Sequence, residues 1–400
     1  MQPKEYIDTF LRPAYETIKK VSPDTKVVGP VLCGIAPDQQ IYLEELYKLG
    51  LKDVTDELSF HPYAGNFDDG HAVASMRRIA QIIEANGDSH KPVHFTEAGY
   101  FHSGWNDVGV LREIIKNVVS QYAWQNASLG IDHRHNFYYF TDQMGYYDMW
   151  LRSTQLTPAA VALRQYTMIV KEQERARVVD FGMGGAVRAF RYPGKDKQVV
   201  LLWTAGNNIP VGEPDPTVEI QFKASSTPSR FDCFGNELPA PKAESLFLGL
   251  RKGPYTLEVG TFPQYLVLPA DAKFEPVVEE WGANVALASL GTLSEASSEE
   301  GTSPAVGAID GNNSGGSAWR SGEANVLPQT LTVSLASPAT INRVAIWSYS
   351  PRGYDLDALM PDGSWRNLAS VRDETYRRFR TLKFDLVQTE MRSTMNADPA

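Results

Sequence analysis

Residues 57–61 read ELSFH, residues 92–97 read PVHFTE, and residues 136–141 read NFYYFT. Each is a short apolar or β-branched run that ends on residues able to do chemistry, and each is flanked by sequence with helical periodicity. Short apolar runs bounded by turn residues read as buried strands. Working outward, KVVG at 26–29 is a further strand, closed by Pro30. Tyr6, Ile7, Phe10, Leu11, Tyr15 and Ile18 recur at helical spacing, and Pro13 is expected to kink or split that helix. Residues 39–49 are amphipathic, with Gly50 placed as a stop. Val73, Met76, Ile79, Ala80 and Ile83 mark the next helix. Another runs from Asp107, an N-cap, to about residue 125, and a last one spans 158–174 with Pro158 in its first turn. The order βαβαβαβα implies parallel strands with helices outside.

Four β/α units occupy residues 1–175. A closed (β/α)8 TIM barrel takes about 250 residues, so this segment predicts half of one. The pattern then changes. AVRAFRY, QVVLLWTA, TVEIQF and PQYLVLP alternate or run apolar between Gly, Pro and Asn turns. They predict an antiparallel β-sandwich over 176–272, its last strand ending near Pro269. A linker at 273–282 leads to a third, all-β stretch at 283–400. The fold class is therefore multidomain, α/β plus all-β. The tail TEMRSTMNADPA (389–400) is polar and unpatterned, so the final strands of the third domain are expected to be missing.

Composition narrows the function. With 42% hydrophobic and 22% charged residues the chain is that of a folded globular protein. No apolar run approaches the roughly 20 residues of a membrane span. The net charge is -10 and no basic stripe occurs, which argues against nucleic acid as a partner. Cys33 and Cys233 lie too far apart to suggest a disulfide framework and read as two buried free thiols. Residues 1–20 lack the charged start and apolar core of a secretory signal and read as the middle of a domain. Nothing in the sequence sets an oligomeric state.

Working residues of a β/α barrel sit at the C-terminal ends of its strands. His61 with Tyr63, Glu97, and Asp142 occupy such places. Glu97 stands out, because it follows an apolar strand and precedes the small residues Ala98 and Gly99. A carboxylate there can attack an anomeric carbon, with His61 and Tyr63 hydrogen-bonding it and holding it ionised. The plainer alternative is a surface Glu in a loop. Trp105 and Trp150 follow strand ends and suit either a sugar platform or rim packing. Asp132, His133 and His135 mimic a metal pair, although a solvated cluster is the stronger reading. GMGGA (182–186) precedes a strand and reads as a turn, and no G-x-S-x-G nucleophile motif occurs.

In this order and spacing, HPYA, FTEAGY and NFYYFTD resemble strands six, seven and eight of the clan A glycoside hydrolases, retaining enzymes on a (β/α)8 barrel. The resemblance covers about residues 1–175. It implies Glu97 as nucleophile, His61 and Tyr63 as its partners, and an aromatic platform at Tyr138 or Tyr139. The sandwich, with DCFGNELP before PQYLVLP, is similar to the small β domain that trails many such barrels. One departure matters. The clan's acid/base belongs to an Asn-Glu pair ending strand four, and the only Asn-Glu here is Asn236-Glu237, in the sandwich. The chain is therefore expected to lack the acid/base and to be inactive by itself.

In the third domain, AIDGNNSGGSAWRS (308–321) places Asp310, Asn312 and Ser317 on a Gly-rich loop, an oxygen set suited to calcium; an ordinary Asx-turn loop is the alternative. Residues 283–385 resemble a discoidin (coagulation-factor type C) jelly roll, a common carbohydrate-binding module on secreted glycosidases. The cues are that loop, Leu331-x-Val333-x-Leu335, INRVAIWSY and Gly363-x-Trp365. The resemblance implies a structural calcium, no cofactor for catalysis, a carbohydrate partner, and an extracellular or periplasmic location. Arg320, Tyr349 and Tyr354 suit either a glycan site or scaffold roles. The rival readings are a non-enzymatic glycan-binding or adhesion protein with a scaffold barrel, and a metal-dependent hydrolase using the histidine-rich first half.

Overall fold

Pro13 deletes one backbone donor from the first helix, and the turns ahead of it widen. In the computed structural model, α1 (Pro3–Glu5) continues into a π-helical segment, Tyr6–Leu11, and then α2 (Arg12–Val21). The Arg12 N–H reaches back five residues to Ile7 O. This wide turn spares the chain the clash of a proline ring with the carbonyl four residues earlier, so the helix is carried through rather than split. The structure describes residues 1–63, 70–98, 108–129, 135–137, 150–151, 155–183, 186–205, 217–246, 251–278, 284–301, 303–311, 318–322, 328–347, 353–372, 379–389 and 392–398.

The first segment continues with β1 (Val28–Leu32), α3 (Pro37–Lys48), β2 (Glu57–Phe60), α4 (Gly70–Ala85), β3 (Val93–Ala98), α5 (Val108–Leu129) and β4 (His135–Phe137). A hairpin of β5 (Trp150–Leu151) and β6 (Gln155–Leu156) precedes α6 (Pro158–Val170). Gly50 takes φ +89° just beyond α3, the left-handed conformation of a helix stop. Thr157 caps α6 by accepting from the Ala160 N–H at 3.2 Å. The four strands form one parallel sheet in the order β1-β2-β3-β4, as the alternation predicts. β1 differs from its expected bounds, because Pro30 lies inside it. As the edge strand of this sheet it tolerates a residue without an N–H, and its register with β2 slips between Val28↔Glu57 and Val31↔Ser59. Cys33 is exposed, not buried, because it shares the side of β1 with the half-exposed Val31.

β7 (Arg177–Val178), β8 (Val187–Tyr192), β9 (Lys197–Thr204), β10 (Val218–Ala224), β11 (Ser229–Asp232), β12 (Glu237–Leu238), β13 (Lys242–Leu246), β14 (Arg251–Val259), β15 (Gln264–Pro269) and β16 (Phe274–Pro276) build the sandwich. One sheet runs β13-β14-β10-β16 and the other β12-β11-β15-β9-β8-β7. β16 pairs with β10, so the sandwich extends into the stretch read as a linker. Val200, Leu202 and Leu266 of the larger sheet pack against Ile220, Phe222 and Leu257 of the smaller. The other face of the larger sheet, with Phe190, Tyr192, Leu201 and Trp203, joins the core of the barrel segment. Burial on both faces explains why β9 reads as an unbroken apolar run.

The third domain holds β17 (Leu293–Ala296), β18 (Gln329–Ser334), β19 (Ala339–Trp347), β20 (Gly353–Leu359), β21 (Trp365–Arg372), β22 (Phe379–Thr389) and β23 (Arg392–Asp398). Its sheets are β17-β18-β23-β20-β21 and β19-β22, all antiparallel. The expectation of missing final strands is corrected here. β23 lies in the polar tail and sits mid-sheet, its Met395 opposite both Leu331 and Leu356. A strand hydrogen-bonded on both sides is held by its ladders, so two apolar residues in seven, Met395 and the small Ala397, suffice, a pattern too thin to read from sequence. Among the described residues, no helix is long and apolar enough to cross a membrane.

Candidate active site

Leu58 and Phe60 are fully buried in the core under the helices, so alternation turns Glu57, Ser59 and His61 to the opposite face of the sheet. The backbone then fixes the end of β2. The His61 N–H donates to Leu32 O at 2.7 Å, and the Tyr63 N–H donates to the His61 carbonyl at 2.8 Å. That bond closes a three-residue turn centred on Pro62, whose ring restricts φ near the value such a turn needs. The His-Pro-Tyr spacing thereby sends two side chains toward one place.

Glu97 is the place they meet. Tyr63 Oη donates to Glu97 Oε1 at 2.6 Å, and His61 Nδ1 lies 3.4 Å from Glu97 Oε2. The His61 and Tyr63 rings stand edge to face, 6.4 Å between centroids. Behind them, His61 Nε2 is 3.1 Å from Thr96 Oγ1, which is 2.5 Å from Ser59 Oγ. In a regular strand Thr96 and Glu97 point to opposite faces. Here β3 carries an extra residue relative to β4, the register passing from Phe95↔His135 to Ala98↔Phe137. Such a bulge re-aims side chains, and it lets both Thr96 and Glu97 reach one imidazole. The Glu97 side chain stays 31% exposed and so open to an incoming molecule.

The structure thus brings together Glu97, His61 and Tyr63. Sequence reading passed over Ser59 and Thr96, although two hydroxyl residues on the polar phase of otherwise apolar strands were a usable signal. It also passed over Glu57 and His94, which pair at 2.5 Å at the opposite end of the same two strands. Trp105, Tyr138, Tyr139, Asp132, His133 and Asp142 lie outside the described residues, and Trp150 is described only as the start of β5.

In the third domain, Asp310 follows the buried Ile309, whose carbonyl accepts from the Ala288 N–H at 2.8 Å, and Gly311 turns the chain at φ +82°. Asn312, Ser317 and Tyr349 lie outside the described residues. Among those described, no group of three or more His, Cys, Asp or Glu side chains is placed to hold a metal ion. Arg320 is exposed and pairs with Glu300 at 2.9 Å. Tyr354 is fully buried in β20, and burial pushes its phenol up to about 12. It belongs to the scaffold and not to a glycan surface.

No family profile and no curated protein sequence matches the chain. Solved structures similar to it include a family 30 endoxylanase from Clostridium papyrosolvens C71, 13% identical, TM-score 0.47, over 68% of this chain and 61% of that one. A family 39 glycoside hydrolase from Bacteroides cellulosilyticus WH2 is 15% identical, TM-score 0.46, over 64% and 54%. A family 32 carbohydrate-binding module from C. perfringens, solved with galactose, is 26% identical, TM-score 0.25, over 27% and 83%. The chain spans less than two thirds of either hydrolase.

Proposed function

We propose that the chain is part of a retaining glycoside hydrolase acting on O-glycosyl bonds, with Glu97 as nucleophile and a sugar-binding module at its end. The observation that carries this reading is the pair of polar neighbours on Glu97, the Tyr63 hydroxyl at one oxygen and the His61 ring nitrogen at the other, at the C-terminal ends of parallel strands. They hold the carboxylate in one orientation, open to attack on an anomeric carbon. Retention needs a second carboxylate, about 5–5.5 Å away, as acid and then base. The Asn236-Glu237 pair lies at β12, in the sandwich, so the acid/base is assigned to strands outside these 400 residues. Without it the chain turns over ordinary glycosides poorly. A carbohydrate partner and an extracellular or periplasmic setting go with this reading. A calcium ion held through Asp310 is a further part of it. The carboxylate and the tight turn at Gly311 suit a hard cation, which would brace the loop and take no part in catalysis.

The test uses donors that need no acid. A panel of 2-deoxy-2-fluoro-glycosyl fluorides is incubated with the protein. The Glu97 carboxylate forms an ester bond to the anomeric carbon as the carbon–fluorine bond breaks and fluoride leaves. Peptide mass spectrometry should find the sugar on Glu97, and Glu97→Gln should abolish it. No adduct on Glu97, in this chain or in one extended through an upstream Asn-Glu strand end, would sink the reading and favour a glycan-binding scaffold.

A further inference from the structure

The two nitrogens of His61 face different chemistry. Nδ1 faces a carboxylate, which as an anion can only accept, while Nε2 faces the Thr96 hydroxyl, which can do either. A neutral imidazole carries one proton, and the tautomer follows from which neighbour can supply the other hydrogen bond. We propose that Thr96, backed by Ser59, is a positioning residue that sets the tautomer of His61 and so aims its N–H at Glu97. The inference rests on Glu97 being the working carboxylate.

Ser59 Oγ, fully buried on β2, lies 2.5 Å from Thr96 Oγ1, and either hydroxyl can donate across that contact. In the proposed arrangement Ser59 is the donor. Thr96, its oxygen now accepting, donates its own hydrogen to His61 Nε2 across 3.1 Å. With Nε2 used as acceptor, the ring proton resides on Nδ1 and points at Glu97 Oε2. The opposite tautomer would turn a bare nitrogen lone pair toward a carboxylate, two acceptors face to face. A Thr96 hydroxyl that accepts from Ser59 keeps its own hydrogen for Nε2, and so favours the tautomer in which His61 turns its N–H toward Glu97. The extra residue in β3 is what makes this possible, because only a locally irregular strand brings positions 96 and 97 to one ring.

The test reads the ring directly, on the full chain labelled with 15N-histidine. Long-range 1H–15N spectra distinguish protonated from bare ring nitrogens, and the His61 signals are assigned by their loss in His61→Gln. In the unmodified protein the neutral form should carry its proton on Nδ1. Thr96→Val keeps the shape and removes the hydroxyl, and should shift the ring to a mixture or to the Nε2–H form. Thr96→Ser should restore the Nδ1–H signature, which a merely structural role would not predict. A Nε2–H tautomer in the unmodified protein, or an unchanged tautomer in folded Thr96→Val, overturns the proposal. Should Thr96→Val not fold, the unmodified spectrum alone still decides. Because the readout is the tautomer and not turnover, its failure is separate from a failure to label Glu97.

Discussion

Tyr166 and Tyr192 meet hydroxyl to hydroxyl at 3.0 Å, one from α6 of the barrel segment and the other from β8 of the sandwich. Around them Trp124 packs edge-on against Phe190 at 4.8 Å, and the Ala176 N–H donates to Asn126 Oδ1 at 2.7 Å. The change of pattern near residue 175 is thus a boundary in the chain but not in the core. Burial also pushes the Tyr166 and Tyr192 phenols well up from their ordinary range, as befits hydroxyls sealed in a dry seam.

Residues 1–175 expressed without the sandwich would bare this seam along with the open edge of β1. We expect self-association, seen as species larger than a monomer by sedimentation, and a broad thermal transition. The full chain should unfold more sharply. A monodisperse monomer with cooperative unfolding would contradict the shared core.

The two thiols should differ in reactivity. Cys233 is buried, and burial, reinforced by neighbouring Asp232, pushes its thiol up to about 12. Cys33 is exposed. Iodoacetamide at pH 8 should therefore alkylate Cys33 in the native protein and reach Cys233 only after denaturation. Peptide mass spectrometry checks both, and early modification of Cys233 would show that β11 and its hairpin open readily.

Much of the fold was legible because local signals agreed. The stop at Gly50, Pro158 in a first helical turn and the apolar runs at 57–61 and 92–97 each point to the same β/α alternation. What stayed hidden depends on neighbours. Pro30 argues against a strand until β1 is seen to be an edge, and Met395 says little until two ladders enclose it. In the site, Glu97, His61 and Tyr63 could be read from position at strand ends. Thr96 could not, because its approach to His61 depends on a register slip that no periodicity announces.

Asp56 should make stability depend on pH. Burial raises its carboxyl, but Lys19 at 2.8 Å, the Val27 N–H at 2.8 Å and Lys26 outweigh that and hold it below the usual value. A lowered carboxyl contributes stability above its unfolded value of about 4, and that contribution is lost as pH falls through the lower folded value. Asp56→Asn should cost about 1–2 kcal/mol at pH 7, discounted for partial exposure. The gap between variant and parent in urea titrations should close at acid pH. A gap that does not change with pH would mean the charge is not what matters.

If Asp310 helps hold calcium, millimolar calcium should raise the melting temperature of the full chain by mass action, about 2.7 kcal/mol of stabilisation at a hundred times the dissociation constant. A chelator should reverse the rise, and Asp310→Ala should remove it. No shift in the unmodified protein would leave the turn at Gly311 as an ordinary loop.

If Glu97 is the nucleophile, its two neighbours Tyr63 and His61 should matter unequally. Tyr63 makes the shorter contact, 2.6 Å against 3.4 Å for His61, and a bond of that kind to an ion contributes about 1.5–3 kcal/mol. Tyr63→Phe keeps the ring and removes only the hydroxyl. The carboxylate is then steadied on one oxygen alone and can rotate about its terminal bond, so fewer encounters find it aligned with the anomeric carbon. Labelling of Glu97 by an activated fluoride donor should slow by about 10- to 100-fold, the same energy expressed as a rate. His61→Ala should slow it less, because its contact is longer and Tyr63 still pins the other oxygen. Equal labelling rates in Tyr63→Phe and the unmodified protein would show that the 2.6 Å bond does not orient the Glu97 carboxylate.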